Sequence, residues 1–179
     1  LRAQEILDTL DARKDVDGMT TWSLGALVTG AAGFAPCTAE ACMELLRAHG
    51  IDPAGRRVTV VGRSLVIGRP AALLLTRADA TVTLCHRKTP DLAARCRAAD
   101  ILLAAAGAPG LITPEHVRPG QIVLDAGATA LPDGTLRGDV TPAAAAIAAC
   151  TPVPGGIGSV TTALLLRHTV QAAEKSHHF

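Results

Sequence analysis

The chain predicts an α/β fold, a Rossmann-like doubly wound parallel sheet with helices on both faces. Three observations predict it. A β-branched run, Val58-Thr59-Val60-Val61, stops at Gly62 and is followed by Gly68, Arg69, Pro70 and an apolar stretch, which reads as strand, glycine turn, helix. Short apolar strands then alternate with helical patterns, the signature of βαβ units with right-handed crossovers. At 179 residues, 49% hydrophobic and 18% charged, the chain is long enough to bury one good core.

Taken in order, residues 2–10 read as a helix and residues 12–34 as a loop-rich stretch carrying Gly18, Gly25, Gly30 and Gly33. Thr38 is a candidate cap for a helix reaching His49 and stopping at Gly50. Strands are expected at 58–61, 81–85, 101–105 and 122–125, with helices at 69–77, 91–98 and, briefly, 114–117. Pro132-Asp133-Gly134 marks a hairpin insertion over 131–136. The alanine-rich run 143–149 reads as a helix because Thr141 can cap it and Pro142 suits its first turn. A last helix over 161–175 has Ser159 as its candidate cap.

Composition narrows the function classes. The formal net charge is +1, basic residues are scattered, and aromatic residues make up 2%, so no nucleic-acid footprint is present. Every long apolar stretch is broken by Gly, Pro or charge, which argues against a membrane span. The five cysteines, Cys37, Cys42, Cys85, Cys96 and Cys150, are odd in number and lack metal-type spacing, so free thiols in a reducing cytoplasm are expected. Asp15 and Asp17 in KDVDG lack the rest of a calcium loop, and no metal site is predicted. The His177-His178 pair reads as a tag remnant.

The first turn, at Gly62, sets backbone N–H groups and a helix dipole at the carboxyl edge of the sheet, where a pyrophosphate can sit. Its spacing is not the usual G-x-G-x-x-G, so the local pattern also fits a plain strand-to-helix turn. At the end of the second strand an NAD site normally offers an acid to the ribose hydroxyls. Here the chain has His86-Arg87-Lys88, an arrangement suited to the 2′-phosphate of NADP, with Arg63 able to join; a solvated basic loop is the competing reading.

Five blocks then carry a family resemblance: KDVDG (residues 14–18), PCT (36–38), VVGRS with its G-x-P (60–70), CHRKT (85–89) and TPVPGGIG (151–158). In this order they resemble the bifunctional methylenetetrahydrofolate dehydrogenase/methenyltetrahydrofolate cyclohydrolase family, over residues 1–173. The resemblance implies NADP-dependent oxidation of 5,10-methylenetetrahydrofolate to 5,10-methenyltetrahydrofolate, then hydrolysis to 10-formyltetrahydrofolate, in a cytoplasmic homodimer serving one-carbon metabolism and purine biosynthesis. It implies cofactor contacts at Gly62, Arg63, Ser64, Arg87 and Ala128, and folate contacts at Asp17, Pro152, Gly155 and Gly156. It also implies a division into an interdomain segment at 1–35 on the folate side, an NADP-binding domain at 36–160, and a terminal helix at 161–179 returning toward a catalytic domain.

The sequence departs from the family at Ala128-Thr129, where Ile-Asn is usual, at Ser159-Val160-Thr161, where Pro-Met-Thr is usual, and at Thr20-Thr21-Trp22-Ser23. Trp22 is expected near the interdomain cleft or in ordinary packing. The family's catalytic Tyr-x-x-x-Lys motif is missing, since the chain has no Tyr, and Lys14, Lys88 and Lys175 do not match its lysine. The catalytic residue is therefore unknown here and expected upstream of Leu1, with the chain the carboxyl-terminal part of a longer enzyme. His86 and His116 are weak alternatives. Two other readings stay open: a non-catalytic dinucleotide-binding paralogue, and another Rossmann dehydrogenase of shikimate-dehydrogenase type.

Overall fold

The computed structural model describes residues 2–176, so Leu1 and the His177-His178 pair lie outside the described residues. Five parallel strands form one sheet in the order β2-β1-β3-β4-β7. They are β1 (Arg57–Val61), β2 (Thr81–Cys85), β3 (Ile101–Ala104), β4 (Ile122–Asp125) and β7 (Ala149–Cys150). The order reverses between β1 and β3, which places the topological switch point of a doubly wound sheet there. A two-stranded antiparallel ribbon, β5 (Thr129–Ala130) with β6 (Leu136–Arg137), is the expected hairpin.

Both sheet faces are covered, as the strand composition requires. Val58, Val60, Ile101, Leu103 and Leu124 enter one core with α3 (Cys37–Ala48), α4 (Gly68–Arg77) and α7 (Ile157–Ser176). Val61, Leu102, Ala104 and Val123 alternate into a second core with α5 (Leu92–Ala98) and α6 (Pro142–Ala145). Burial on each side, at roughly 1.5–3 kcal/mol per large apolar side chain, makes the inner strands β1, β3 and β4 near-continuous hydrophobic runs.

Five expectations need correction. The 12–34 stretch is not simply loop: a 3-10 turn at Ala12–Lys14 precedes a helix, α2 (Thr21–Thr29), capped by the Thr20 side chain and ended by Gly30 at φ +79°. Gly25 lies within that helix facing open space, so it weakens the pattern without breaking the helix. Thr38 is not the cap of α3, which begins at Cys37 after Pro36 and has no side-chain cap from that residue. The alanine run is a helix only to Ala145, and Ala149–Cys150 leave it as β7, which pairs in parallel with β4 and whose Ala149 N–H donates to the Gln121 carbonyl at 3.0 Å. Ser159 does not start the last helix, which already runs from Ile157. The first helix, α1, is short at Ala3–Leu7.

Candidate functional site

The strands end level at their carboxyl edge. Val61 pairs with both Cys85 and Ala104, and Ala104 pairs with Asp125, so the loops that follow rise side by side. Gly62 has φ +121° and donates its N–H to the Cys85 carbonyl at 2.9 Å. A Cβ there would stand 2.0 Å from the Ala105 carbonyl oxygen, and one at Gly68 would stand 2.0 Å from that of Gly62. Only glycine lets the chain fold this tightly across the switch point. The Ser64 hydroxyl accepts the Ile67 N–H at 3.2 Å, and its carbonyl accepts that of Arg69 at 3.0 Å, which fixes the turn into α4. Arg63 and Ser64 are exposed at its tip. Such a cradle beside a helix N-terminus suits a pyrophosphate.

The basic turn leaves β2 next door. Thr89 closes it: its hydroxyl accepts the His86 N–H at 2.9 Å while its own N–H reaches the His86 carbonyl at 2.7 Å. His86 Nδ1 accepts the Lys88 N–H at 3.2 Å. The turn holds Arg87 and Lys88 exposed. Because Val61 is paired with Cys85, Arg63 and Arg87 each stand two residues past the end of adjacent strands. Thr89 was not singled out from the sequence, although a hydroxyl three residues after His86, the first residue of the turn, is a recognisable turn signal.

Ala128, Pro152, Gly155 and Gly156 come together in one cleft of about 390 Å³ beyond the ends of β4 and β7. Thr38 and Ile67 join them from α3 and the turn preceding α4, and neither was anticipated. Gly156 is buried, and a Cβ there would lie 2.5 Å from the Pro152 carbonyl oxygen. The Val153–Pro154 peptide is cis. Thr151 ties this turn to the sheet by accepting the Asp125 N–H at 2.8 Å. Gly62, Arg63, Ser64 and Arg87 do not line this cleft but extend along the same edge.

The two acids of KDVDG take different places. Asp15 is buried; burial pushes its carboxyl up, but the Ser23 hydroxyl and the N–H groups of Thr20 and Met19 outweigh that and leave it below the ordinary range. It caps α2. Asp17 is exposed and does not line the cleft; it accepts the N–H of Cys37 at 3.3 Å, beside Thr38 on the cleft wall. Between them, the Val16 carbonyl lies 2.8 Å from His168 Nδ1, while His168 Nε2 faces Glu40 at 3.2 Å and its ring stacks on Phe34. Buried His168 thus pins the segment carrying Asp17 to α3 and α7, a tie between distant residues that no local pattern discloses.

Other candidates have structural occupations. His116 Nδ1 accepts the Thr113 N–H, and burial pushes its pKa down. Burial pushes the thiols of Cys37, Cys42 and Cys96 up to about 12, so none is a poised nucleophile. Trp22 is 55% exposed and borders a hollow of about 980 Å³ with Phe34 and Ala172. Among the described residues, no group of three or more His, Cys, Asp or Glu could hold a metal ion, and no helix is long and apolar enough to cross a membrane.

Comparison with known proteins agrees with this geometry. Residues 36–177 match the family model described as tetrahydrofolate dehydrogenase/cyclohydrolase, NAD(P)-binding domain. The bifunctional protein FolD 1 of Rhodococcus jostii is 56% identical over 168 residues, covering 93% of this chain and 57% of that protein. The bifunctional FolD of Campylobacter jejuni superposes with a TM-score of 0.92 at 40% identity, over 97% of this chain and 62% of the other. The Trypanosoma brucei enzyme, solved with NADP and an inhibitor, gives 0.91 at 39% identity, over 100% and 64%. The chain spans less than two thirds of each of these relatives. Parallel sheet, glycine cradle and family match converge: this chain belongs to the tetrahydrofolate dehydrogenase/cyclohydrolase family, as its NAD(P)-binding domain.

Proposed function

We propose that the full-length protein oxidises 5,10-methylenetetrahydrofolate with NADP and hydrolyses the product to 10-formyltetrahydrofolate, this chain being its cofactor-binding part. One observation carries the choice of NADP: Arg87, with Arg63 on the adjacent strand end, stands where a ribose-binding acid would favour NAD. NADP, when bound, supplies the hydride acceptor.

The chain's residues position the reactants. Gly62 and Ser64 shape the turn for the pyrophosphate, and Arg87 meets the 2′-phosphate. Ala128, Pro152, Gly155 and Gly156 offer a small-residue cleft for two flat rings, so that the substrate methylene carbon meets the nicotinamide. Asp17 accepts the adjacent N–H donors of the pterin edge. Residues 1–35 form the folate side, 36–160 the cofactor domain, and the terminal helix packs toward an upstream domain that holds the catalytic lysine. Pairing into a homodimer uses the open edge of β2, where Thr81, Thr83 and Leu84 are exposed. Free thiols fit the cytoplasm, and the formyl product supplies purine biosynthesis.

The test is a steady-state assay of the full-length protein with 5,10-methylenetetrahydrofolate and NADP. Reduced nicotinamide must accumulate in proportion to enzyme; no reduction with either substrate saturating overturns the reading.

A further inference from the structure

Two carboxylates that the sequence reading did not single out are buried at the carboxyl edge. Asp139, just after β6, is 0% exposed, and Asp125, closing β4, is 4% exposed. The carboxylate of Asp139 accepts from three successive backbone N–H groups in the loop after β3: Ala106 at 2.6 Å, Gly107 at 3.0 Å and Ala108 at 2.7 Å. Successive N–H groups of this kind form an anion-binding concavity, and here the protein fills it with its own carboxylate. Asp125 in turn accepts the N–H groups of Gly127, Asp139 and Val140, at 3.0, 3.0 and 2.9 Å.

The packing admits no substitute. A Cβ at Gly127 would stand 2.5 Å from Asp139 Oδ1, and one at Gly138 would stand 2.1 Å from Asp125 Oδ2. Burial, with the charge of Asp139 adding to it, pushes the Asp125 carboxyl up, so the pair is costly to hold inside. What the cost secures is the position of loops. The loop that Asp139 gathers begins at Ala105, whose carbonyl packs against Gly62 across the switch point, and Ala106 and Gly107 form its exposed surface.

We propose that Asp139 is a positioning residue for the dinucleotide. It locks residues 105–108 as the wall opposite the Gly62 turn, while Asp125 couples that wall to Gly127 and Ala128 on the far side. Asp139 touches no cofactor itself. The inference rests on the reading of this edge as an NADP site.

The test uses the full-length protein with Asp139→Ala, which empties the concavity, and Asp139→Asn, which keeps the volume and one acceptor oxygen. NADP affinity is measured by calorimetry, and exchange of the Ala106, Gly107 and Ala108 amides by mass spectrometry. Asp139→Ala is expected to weaken NADP about tenfold or more and to release those amides, with Asp139→Asn intermediate. Formate, which fits the vacated concavity, is expected to restore part of both in the alanine variant. The apparent KM for NADP should rise with kcat nearly unchanged. If Asp139→Ala does not fold, Asp139→Asn carries the same comparison. Wild-type NADP affinity in a folded variant, or formate restoring stability without affinity, would overturn the proposal. Failure of the wild-type protein to bind NADP overturns the cofactor reading itself, and this proposal with it.

Discussion

Replacing Gly62 with alanine separates two effects that the switch point imposes together. At φ +121° an L-residue carries strain of roughly 1–2 kcal/mol. Its Cβ would also lie 2.0 Å from the Ala105 carbonyl oxygen and 2.5 Å from the carbonyl carbon, and because both are backbone atoms, relief requires moving the ends of β1 and β3 apart. Overpacking of that kind costs about 1–3 kcal/mol. The sum is about 3 kcal/mol, or a melting temperature lower by about 6–12 °C in a chain of this size. Two controls divide the sum. Gly68→Ala meets the Gly62 carbonyl at 2.0 Å without a positive φ, and Gly134→Ala has φ +81° with nothing within 4 Å. Thermal melts followed by circular dichroism should rank Gly62→Ala as most damaging, Gly68→Ala next and Gly134→Ala least, and only the first two should lose NADP affinity. A Gly62→Ala protein no less stable than Gly134→Ala would refute the close-approach argument.

Arg87→Ala should raise the KM for NADP by roughly ten- to a hundredfold and leave that for NAD unchanged, measured by steady-state kinetics with both cofactors. Asp17→Asn should weaken folate affinity about tenfold while leaving NADP affinity and the melting temperature intact, read by paired titrations; a large loss of stability would instead make it structural like Asp15. Arg57, which bonds Asp100 at 2.8 Å, holds that carboxyl down to about 2 from 3.8. A depressed acid stabilises the fold above its unfolded pKa and loses that contribution as pH falls through the folded value. The stability gap between wild type and Asp100→Asn should therefore be full above about pH 4 and close toward pH 2, as denaturant titrations can check.

The βαβ series was legible because its signals are local. Val58 to Val61 is β-branched and stops at a glycine, and each later strand is a short apolar run bounded by turn residues. What escaped depends on partners distant in sequence. The start of α2 rests on the Asp15 carboxylate reaching Met19, Thr20 and Ser23, while Gly18, Gly25 and Gly30 give the stretch the look of a loop. β7 hides at the end of an alanine run because pairing with β4, not propensity, makes it a strand. Family likeness offered Ala128 as a cofactor contact and Pro152, Gly155 and Gly156 as folate contacts, whereas their meeting in one cleft with Thr38 and Ile67 on its wall required the fold. Asp125 and Asp139 are 14 residues apart and each ends or follows a strand; the only local hint is a glycine close to each, Gly127 and Gly138, where the opposite carboxylate crowds in.

The central claim, an NADP site running along this carboxyl edge, is tested most directly by titrating NADP and NAD in turn into the isotopically labelled protein and following backbone amide resonances. The account predicts saturable binding with NADP tighter by about tenfold or more, and shifts concentrated at Gly62 to Ser64, His86 to Lys88, Gly127 to Ala128 and Gly155 to Gly156. Equal affinity for the two cofactors, or shifts centred away from these strand ends, would contradict it.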